Sequence, residues 1–580
     1  MKKHLWMVAG AAIGSALAIS PAWAVWPQSG RGACEATGSQ QQSAITSDGA
    51  GGAIVTWQDL RTPTSIIAAQ HLRADGELDP AWPHFGRAVL GQPLVNPDGG
   101  EFLPQIVSDG AGGAIVVFID GRSAVTELDV YAQHILANST LDPAWPAEGL
   151  AVSATVGQQE APVVASDGAG GAIVAWIDTR AGGNAEDIYA QHVLVTGVVD
   201  PAWTVNGAPV CTATGTHIFP VIVSDGAGGA VITWSDERGS PPVQDIYAQR
   251  ILGTGVIAPG WPVNGRVVCG ADGGQTGATL AADGVHGAIL SWTDARTPGE
   301  VHIFAHHVRG DGTLDPVWPV DGRLISGVAN NESRPRIVSD GAGGAVVAWQ
   351  GFTLQTTVIN IFAQHVRSNG TVDPAWLAGG RALSSANRVQ THAEIATDGA
   401  GGAIVAWDEN TTDVFAQHVL ASGALDPAYP ERGRPLCTLP SQSGDPAIVA
   451  TPGAGAIVSW TDGRNGNVDI FAMQVQEALA TGVGGSTPPP VSLISAFPNP
   501  ASASMTLRFV LPGSGSASVA IYDVTGRRVR TLVSGTRPAG ENALAWDLRD
   551  DSGRNVSAGV YFARLASGAT VVTQKLVKVK

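Results

Sequence analysis

The chain has 580 residues, with 33 basic and 50 acidic side chains and a formal charge of −17. That balance excludes nucleic acid and an anionic membrane as partners for the chain as a whole. Charged residues make up only 14%, beside 74 Gly and 36 Pro, so many turns between buried strands are expected, not disorder. The charge is also uneven. From Val491 onward there are 11 basic and 5 acidic side chains, and every Lys lies at an end of the chain (Lys2, Lys3, Lys575, Lys578, Lys580).

Residues 1–24 read as a secretory signal. Lys2 and Lys3 form its charged start, Leu5 to Ile19 its apolar stretch, and Ala22-Trp23-Ala24 a small-x-small site that predicts cleavage between Ala24 and Val25. No later stretch offers about 20 unbroken apolar residues, so no transmembrane segment is expected in the mature chain. No Cys follows the cleavage site, which argues against a lipid anchor.

From there a unit of about 58 residues repeats. Its first half is typified by Ser108-Asp109-Gly110-Ala111-Gly112-Gly113. The Asp recurs at Asp48, Asp167, Asp225, Asp283, Asp340 and Asp398, with a decayed eighth copy at Thr451–Ala456. The second half is of Trp-Pro-x-x-Gly type, its aromatic at Trp26, Trp82, Trp145, Trp203, Trp261, Trp318, Trp376 and Tyr429. The series therefore opens with an unmatched second half and closes with an unmatched first half. A ring explains the offset: the fragment at Trp26 completes the last unit and leaves no open sheet edge. The expected fold is all-β, an eight-bladed β-propeller over residues 25–478 closed by its N-terminal strand. An elongated solenoid keeps the repeats but leaves the offset as coincidence.

Within one unit the pattern predicts a strand at Pro104–Ser108, a Gly-rich turn at 109–113 and a buried strand at Ala114–Phe118. A third strand follows at Asp129–Ile135 and a fourth near Gly149–Ser153. Seven second strands carry Trp (57, 176, 234, 292, 349, 407, 460), with Phe118 in the eighth. An aromatic present in every unit is expected to pack between units, whereas a sugar-stacking platform would use aromatics unique to one or two. Six Asp-x-Arg pairs (Asp59/Arg61, Asp120/Arg122, Asp178/Arg180, Asp236/Arg238, Asp294/Arg296, Asp462/Arg464) read as braces of their own loops. His71, His134, His192, His307, His365 and His418 recur in the third strand, each in a separate unit, so they do not converge as metal ligands need to. Cys34, Cys211, Cys269 and Cys437 follow the Trp-Pro-x-x-Gly element. In an oxidising compartment they suggest bridges Cys34–Cys437 and Cys211–Cys269, with four buried thiols as the alternative. The sequence designates no catalytic residue, metal site or cofactor, and no G-x-S-x-G, H-E-x-x-H or Walker element occurs.

The stretch Arg309-Gly310-Asp311-Gly312-Thr313-Leu314-Asp315-Pro316-Val317-Trp318 loosely resembles the Asp-box hairpin of sialidase-like propellers, where it is a folding element. Thr481–Pro490 reads as a linker within 479–492. Beyond it come Phe497-Pro498-Asn499-Pro500, Ile521-Tyr522-Asp523-Val524-Thr525-Gly526-Arg527, Gly559-Val560-Tyr561-Phe562-Ala563-Arg564 and a Lys-rich last strand. These motifs resemble both the C-terminal sorting domain of type IX secretion cargo and the FlgD-like Ig-like domain. The resemblance implies a small β-sandwich over 493–580, secretion machinery as its partner, and a place in the medium or on the outer surface of a double-membraned bacterium. The repeats are similar to uncharacterised surface propellers that carry such tails. The expectation is thus a non-enzymatic scaffold that binds a surface glycan or protein. The alternative is a sialidase-like, glycan-binding or glycan-hydrolysing propeller, its site marked by the divergent units at Gln350–Asn360 or Asp408–Asp413.

Overall fold

The computed structural model describes residues 26–27 and 29–579, apart from segments at 63–64, 91–99, 125–126, 183–184, 240–242, 328–330, 353–357, 440–441, 454, 476–491, 498–500, 502–503, 512–514, 538–539 and 568–569. The Ala24–Val25 cleavage site and the linker expected at Thr481–Pro490 lie outside the described residues. The chain divides into two compact units, one up to Ala478 and one from Leu479.

The described residues form strands and no helix, as the missing 3.6-residue periodicity anticipates. The first unit contains eight four-stranded antiparallel sheets, seven of them made of consecutive strands. In the third sheet, Gln159–Ser166, Ala172–Asp178, Asp187–Val193 and Ala208–Cys211 lie in chain order. The eighth sheet takes three strands from Ser443–Thr451, Gly455–Asp462 and Asp469–Val475. Its fourth is Arg31–Cys34, paired Arg31 to Ala472 and Cys34 to Ile470. First strands of successive sheets touch, and the first strand of the eighth sheet touches that of the first.

Second strands such as Ala53–Asp59 and Ala172–Asp178 are buried along their whole length, because both faces of each sheet are covered. Their tryptophans are fully buried and fill the space between sheets. Six indoles of the Trp-Pro elements donate into the next unit, and that of Trp26 bonds the third strand of the eighth sheet, which its own fragment completes. Trp145 donates to Val195 O at 3.1 Å, Trp203 to Gly253 O at 2.9 Å, and Trp26 to Gln474 Oε1 at 3.1 Å.

The second unit is a sandwich of a three-stranded and a four-stranded sheet. Its core includes Leu507, Phe509, Ile521, Trp546, Leu565 and Leu576, with Trp546 edge-on to Tyr561 at 5.4 Å.

Candidate functional site

Most residues that repeat are committed to packing. Each Asp-x-Arg carboxylate is buried and pairs with its Arg, and all but Asp120, whose sheet carries Phe118, accept the indole N–H of their own sheet's Trp (Trp176 to Asp178, 2.8 Å). Each Arg donates to a loop carbonyl (Arg180 to Asn206 O, 2.7 Å), and all but Arg61, whose sheet carries Ala68 at that place, stack over a third-strand aromatic (Arg180 over Tyr189, 3.9 Å). The pair is therefore a buried knot, more than a surface brace. The seventh sheet keeps the knot by other means: Glu409 stands for the Asp, and Arg432, from a different loop, pairs with it over Phe415.

The histidines bridge turns. His134 Nδ1 lies 2.9 Å from Asp142 Oδ2 and its Nε2 lies 3.0 Å from Asp109 Oδ2. The same Asp-His-Asp bridge recurs at His71, His192, His307, His365 and His418. In the fourth sheet Arg250 takes the His place and pairs with Asp225 at 2.8 Å. Burial opposes charge on His71, His134, His192, His307 and His418, but the two carboxylates outweigh it and raise their pKa.

The expected bridges Cys34–Cys437 and Cys211–Cys269 are not formed: all four thiols are free and buried. Each Sγ instead faces the knot guanidinium of the following sheet, Arg61, Arg464, Arg238 and Arg296 respectively, at 3.2–3.4 Å. The shared position thus gives each thiol a partner other than cysteine. Cys211, His217 and Asp236 bring one donor atom each within 4.8 Å of one another. Arg238 already bonds both the thiol and the carboxylate, and a cation there opposes a metal ion.

What does not repeat is concentrated at one place. Every first strand carries a β-bulge, an extra residue opposite its second strand. At each bulge one residue has a positive φ of 47–62°: Gln42, Leu103, Ala161, Phe219, Gly277, Arg334, His392 and Asp445. Seven are not glycine, and such conformations cost about 1 kcal/mol or more each. Proline follows in five of the eight (Pro104, Pro162, Pro220, Pro335, Pro446) and needs no ladder partner there. Six of them are exposed, with Ala161 and His392 half-buried: Phe219 is 57% exposed, and a Cβ built on Gly277 would meet nothing within 4 Å. Because first strands neighbour one another, the eight positions form a ring. The third to fifth sheets present Ala161, Phe219 and Gly277, and the sixth, seventh, eighth and first present Arg334, His392, Asp445 and Gln42.

On the polar arc a cleft of about 340 Å³ is lined by His392, Asp408, Asp445, Gln41, Gln442 and Thr411 among others. Asp408 is buried, and burial raises its pKa against the opposing influence of His392. Its Oδ1 lies 3.1 Å from His392 Nδ1 and accepts from Thr391 Oγ1 at 2.9 Å. Asp445 Oδ1 is 4.0 Å from the same ring nitrogen. Two residues on from the bulge, Arg336 Nε donates to Glu394 Oε1 at 2.8 Å, and burial raises the Glu394 pKa. An imidazole held by a carboxylate on one nitrogen leaves the other for a ligand and is suited to proton transfer. A larger groove, about 500 Å³, lies along Leu377, Arg381, Tyr429 and Glu431, but it borders elements common to all the repeats. Of the two divergent units singled out from sequence, Asp408–Asp413 borders the cleft. The ring itself was missed, although the sequence marks it: two residues past the position of Gln40, Gln159, Gln275 and Gln390, the repeat stops repeating.

Among known proteins, residues 499–570 match the family model of the FlgD Ig-like domain. No curated protein matches the chain. Three solved structures are similar in strand arrangement. A fungal alcohol oxidase in complex with copper is 12% identical, covering 84% of this chain and 98% of its own (TM-score 0.38). A polysaccharide lyase, an ulvan lyase bound to a saccharide, is 10% identical, covering 77% and 96% (TM-score 0.38). The α-L-arabinofuranosidase of Fusarium graminearum with arabinobiose is 8% identical, covering 77% and 97% (TM-score 0.32). The expectation of a non-enzymatic chain is not upheld: all three proteins of similar strand arrangement are enzymes. That expectation rested on uniform loops, whereas the variable residues sit on bulges inside strands. The C-terminal resemblance to a FlgD-like Ig-like domain stands.

Proposed function

We propose that this protein is an exported, eight-bladed propeller that binds or cleaves a glycan at the bulge ring. The observation that carries the reading is the ring itself: non-repeating, strained and exposed side chains in a molecule whose other repeated positions are committed to packing. Phe219 is the aromatic unique to one unit that a sugar-stacking site calls for, since the C–H face of a pyranose packs on an aromatic ring. His392, Asp445 and Gln42 supply the hydroxyl-bonding groups that fix orientation, and the His392–Asp408 pair is the candidate for proton transfer. In this reading the N-terminal strand closes the ring, residues 1–24 direct export, and the Ig-like domain is the address or attachment read by the secretion machinery at the outer surface.

Polysaccharide pull-down and reducing-end release tested on the full chain check the proposal. Binding to at least one polysaccharide is expected, weakened tenfold or more by Phe219→Ala with His392→Ala and unaffected by Asp311→Ala at the opposite turns. Equal binding by all three proteins would place the site elsewhere. Intact mass of protein recovered from its host tests the export reading, which predicts a mature chain starting at Val25.

A further inference from the structure

Resting on the glycan reading, we infer that the ring holds a subsite for an anionic sugar, a saccharide unit bearing a carboxylate or sulfate, over Gly277 between Phe219 and Arg334. Gly277 is the gap in the ring, with open space where every other sheet carries a side chain. Its neighbours on either side are the exposed aromatic Phe219 of the fourth sheet and Arg334 of the sixth. A pyranose seated in the gap would place its apolar face on the phenyl ring and its charged group toward the guanidinium.

The charge pattern supports an anion at this point. Arg334 is exposed at a strained backbone position, and among the described residues it makes no ion pair. Arg336, two residues further along the same strand, is matched by Glu394. The pair of arginines thus leaves one positive charge in surplus, within a chain of net charge −17. No other bulge position carries an arginine or lysine. A long cation there carries the backbone strain of its positive φ, and among the described residues no ion pair offsets it; an anionic ligand does. Asp445 lies two sheets away, so it can accept from sugar hydroxyls without opposing the anion.

Calorimetric titration of the full chain with tetragalacturonate and with its methyl ester, which lacks the charge and adds only a methyl group at each carboxyl, tests the inference. The acid is expected to bind at least tenfold tighter, with an advantage that shrinks in high salt. Arg334→Gln should make the two equal, Phe219→Ala should weaken both, and Gly277→Gln should abolish both by filling the gap. Gln42 stands at the same position in the first sheet, so Gly277→Gln is compatible with the fold. Unchanged acid preference in Arg334→Gln, or equal binding of acid and ester to the wild type, overturns the anionic subsite. If the ester still binds and is lost in Phe219→Ala, glycan recognition survives that result. A chain that binds neither these probes nor any neutral polysaccharide overturns both readings.

Discussion

Glu101 occupies the buried first-strand position where Gln40, Gln159, Gln275 and Gln390 stand in other sheets. Its Oε2 accepts the Ile67 N–H at 2.6 Å, as Gln390 Oε1 accepts that of Ile361 at 3.1 Å. Burial pushes its pKa up to about 8, so at neutral pH the carboxyl is protonated and imitates the amide. A raised folded pKa contributes stability that is full below the ordinary value of 4.5 and is lost as pH rises through 8. Glu101→Gln should therefore leave the melting temperature unchanged near pH 4.5. At pH 9 it should recover on the order of a few kcal/mol, measured by thermal denaturation across pH. The cysteines allow a second test. Burial raises Cys34 and Cys211 to about 11 and Cys269 to about 12, which suppresses the thiolate. Reduction should leave the intact mass unchanged, and thiol reagents should label all four only after unfolding.

At the scale of elements, closure and the bulges matter most. The strand Arg31–Cys34 is short, and Trp26 beside it anchors the chain through a buried indole bonded to Gln474. Replacing a buried Trp by Ala typically costs about 3–5 kcal/mol, and Trp26→Ala should cost as much as Trp261→Ala in chemical denaturation. A loss near zero would mean that the N-terminal fragment does not hold the eighth sheet. The bulges re-aim one side chain per sheet without disturbing the ladder on either side, so the ring can vary while the cores stay fixed. The opposite turns are locked by Asp-His-Asp bridges and inter-unit indole bonds, which leaves them little freedom to specialise.

For the whole molecule, the bridges set a pH window. Five bridging histidines have raised pKa values, so their contribution is full below about 6.5 and is lost as pH rises through the higher folded values. Burial alone would raise Asp48, Asp109, Asp167, Asp283 and Asp398, but hydrogen bonds from His and turn amides outweigh it and lower them. Their contribution is present above 3.8 and lost as pH falls through the lower folded values. The first unit should therefore be most stable between about pH 4 and 6.5. Melting temperatures measured from pH 3 to 9 would contradict this with a maximum at pH 8. Two compact units with separate cores should also give two calorimetric transitions.

The 58-residue period, the buried apolar runs and the Gly-rich turns made the strands, their order within each sheet and the Ig-like tail legible from sequence, because these depend on local periodicity and turn chemistry. The phase offset even identified which fragment pairs with the last unit. Other features depend on contacts across about 25 to 450 residues, which no local pattern reports. Arg180 and Asn206 O, Cys34 and Arg61, and Trp26 and Gln474 meet only once the sheets pack. The same packing decided that the cysteines face arginine and not each other. It also gathered eight dissimilar residues, spaced through the chain as apparent repeat noise, into one exposed ring, because only adjacency of the first strands makes them neighbours.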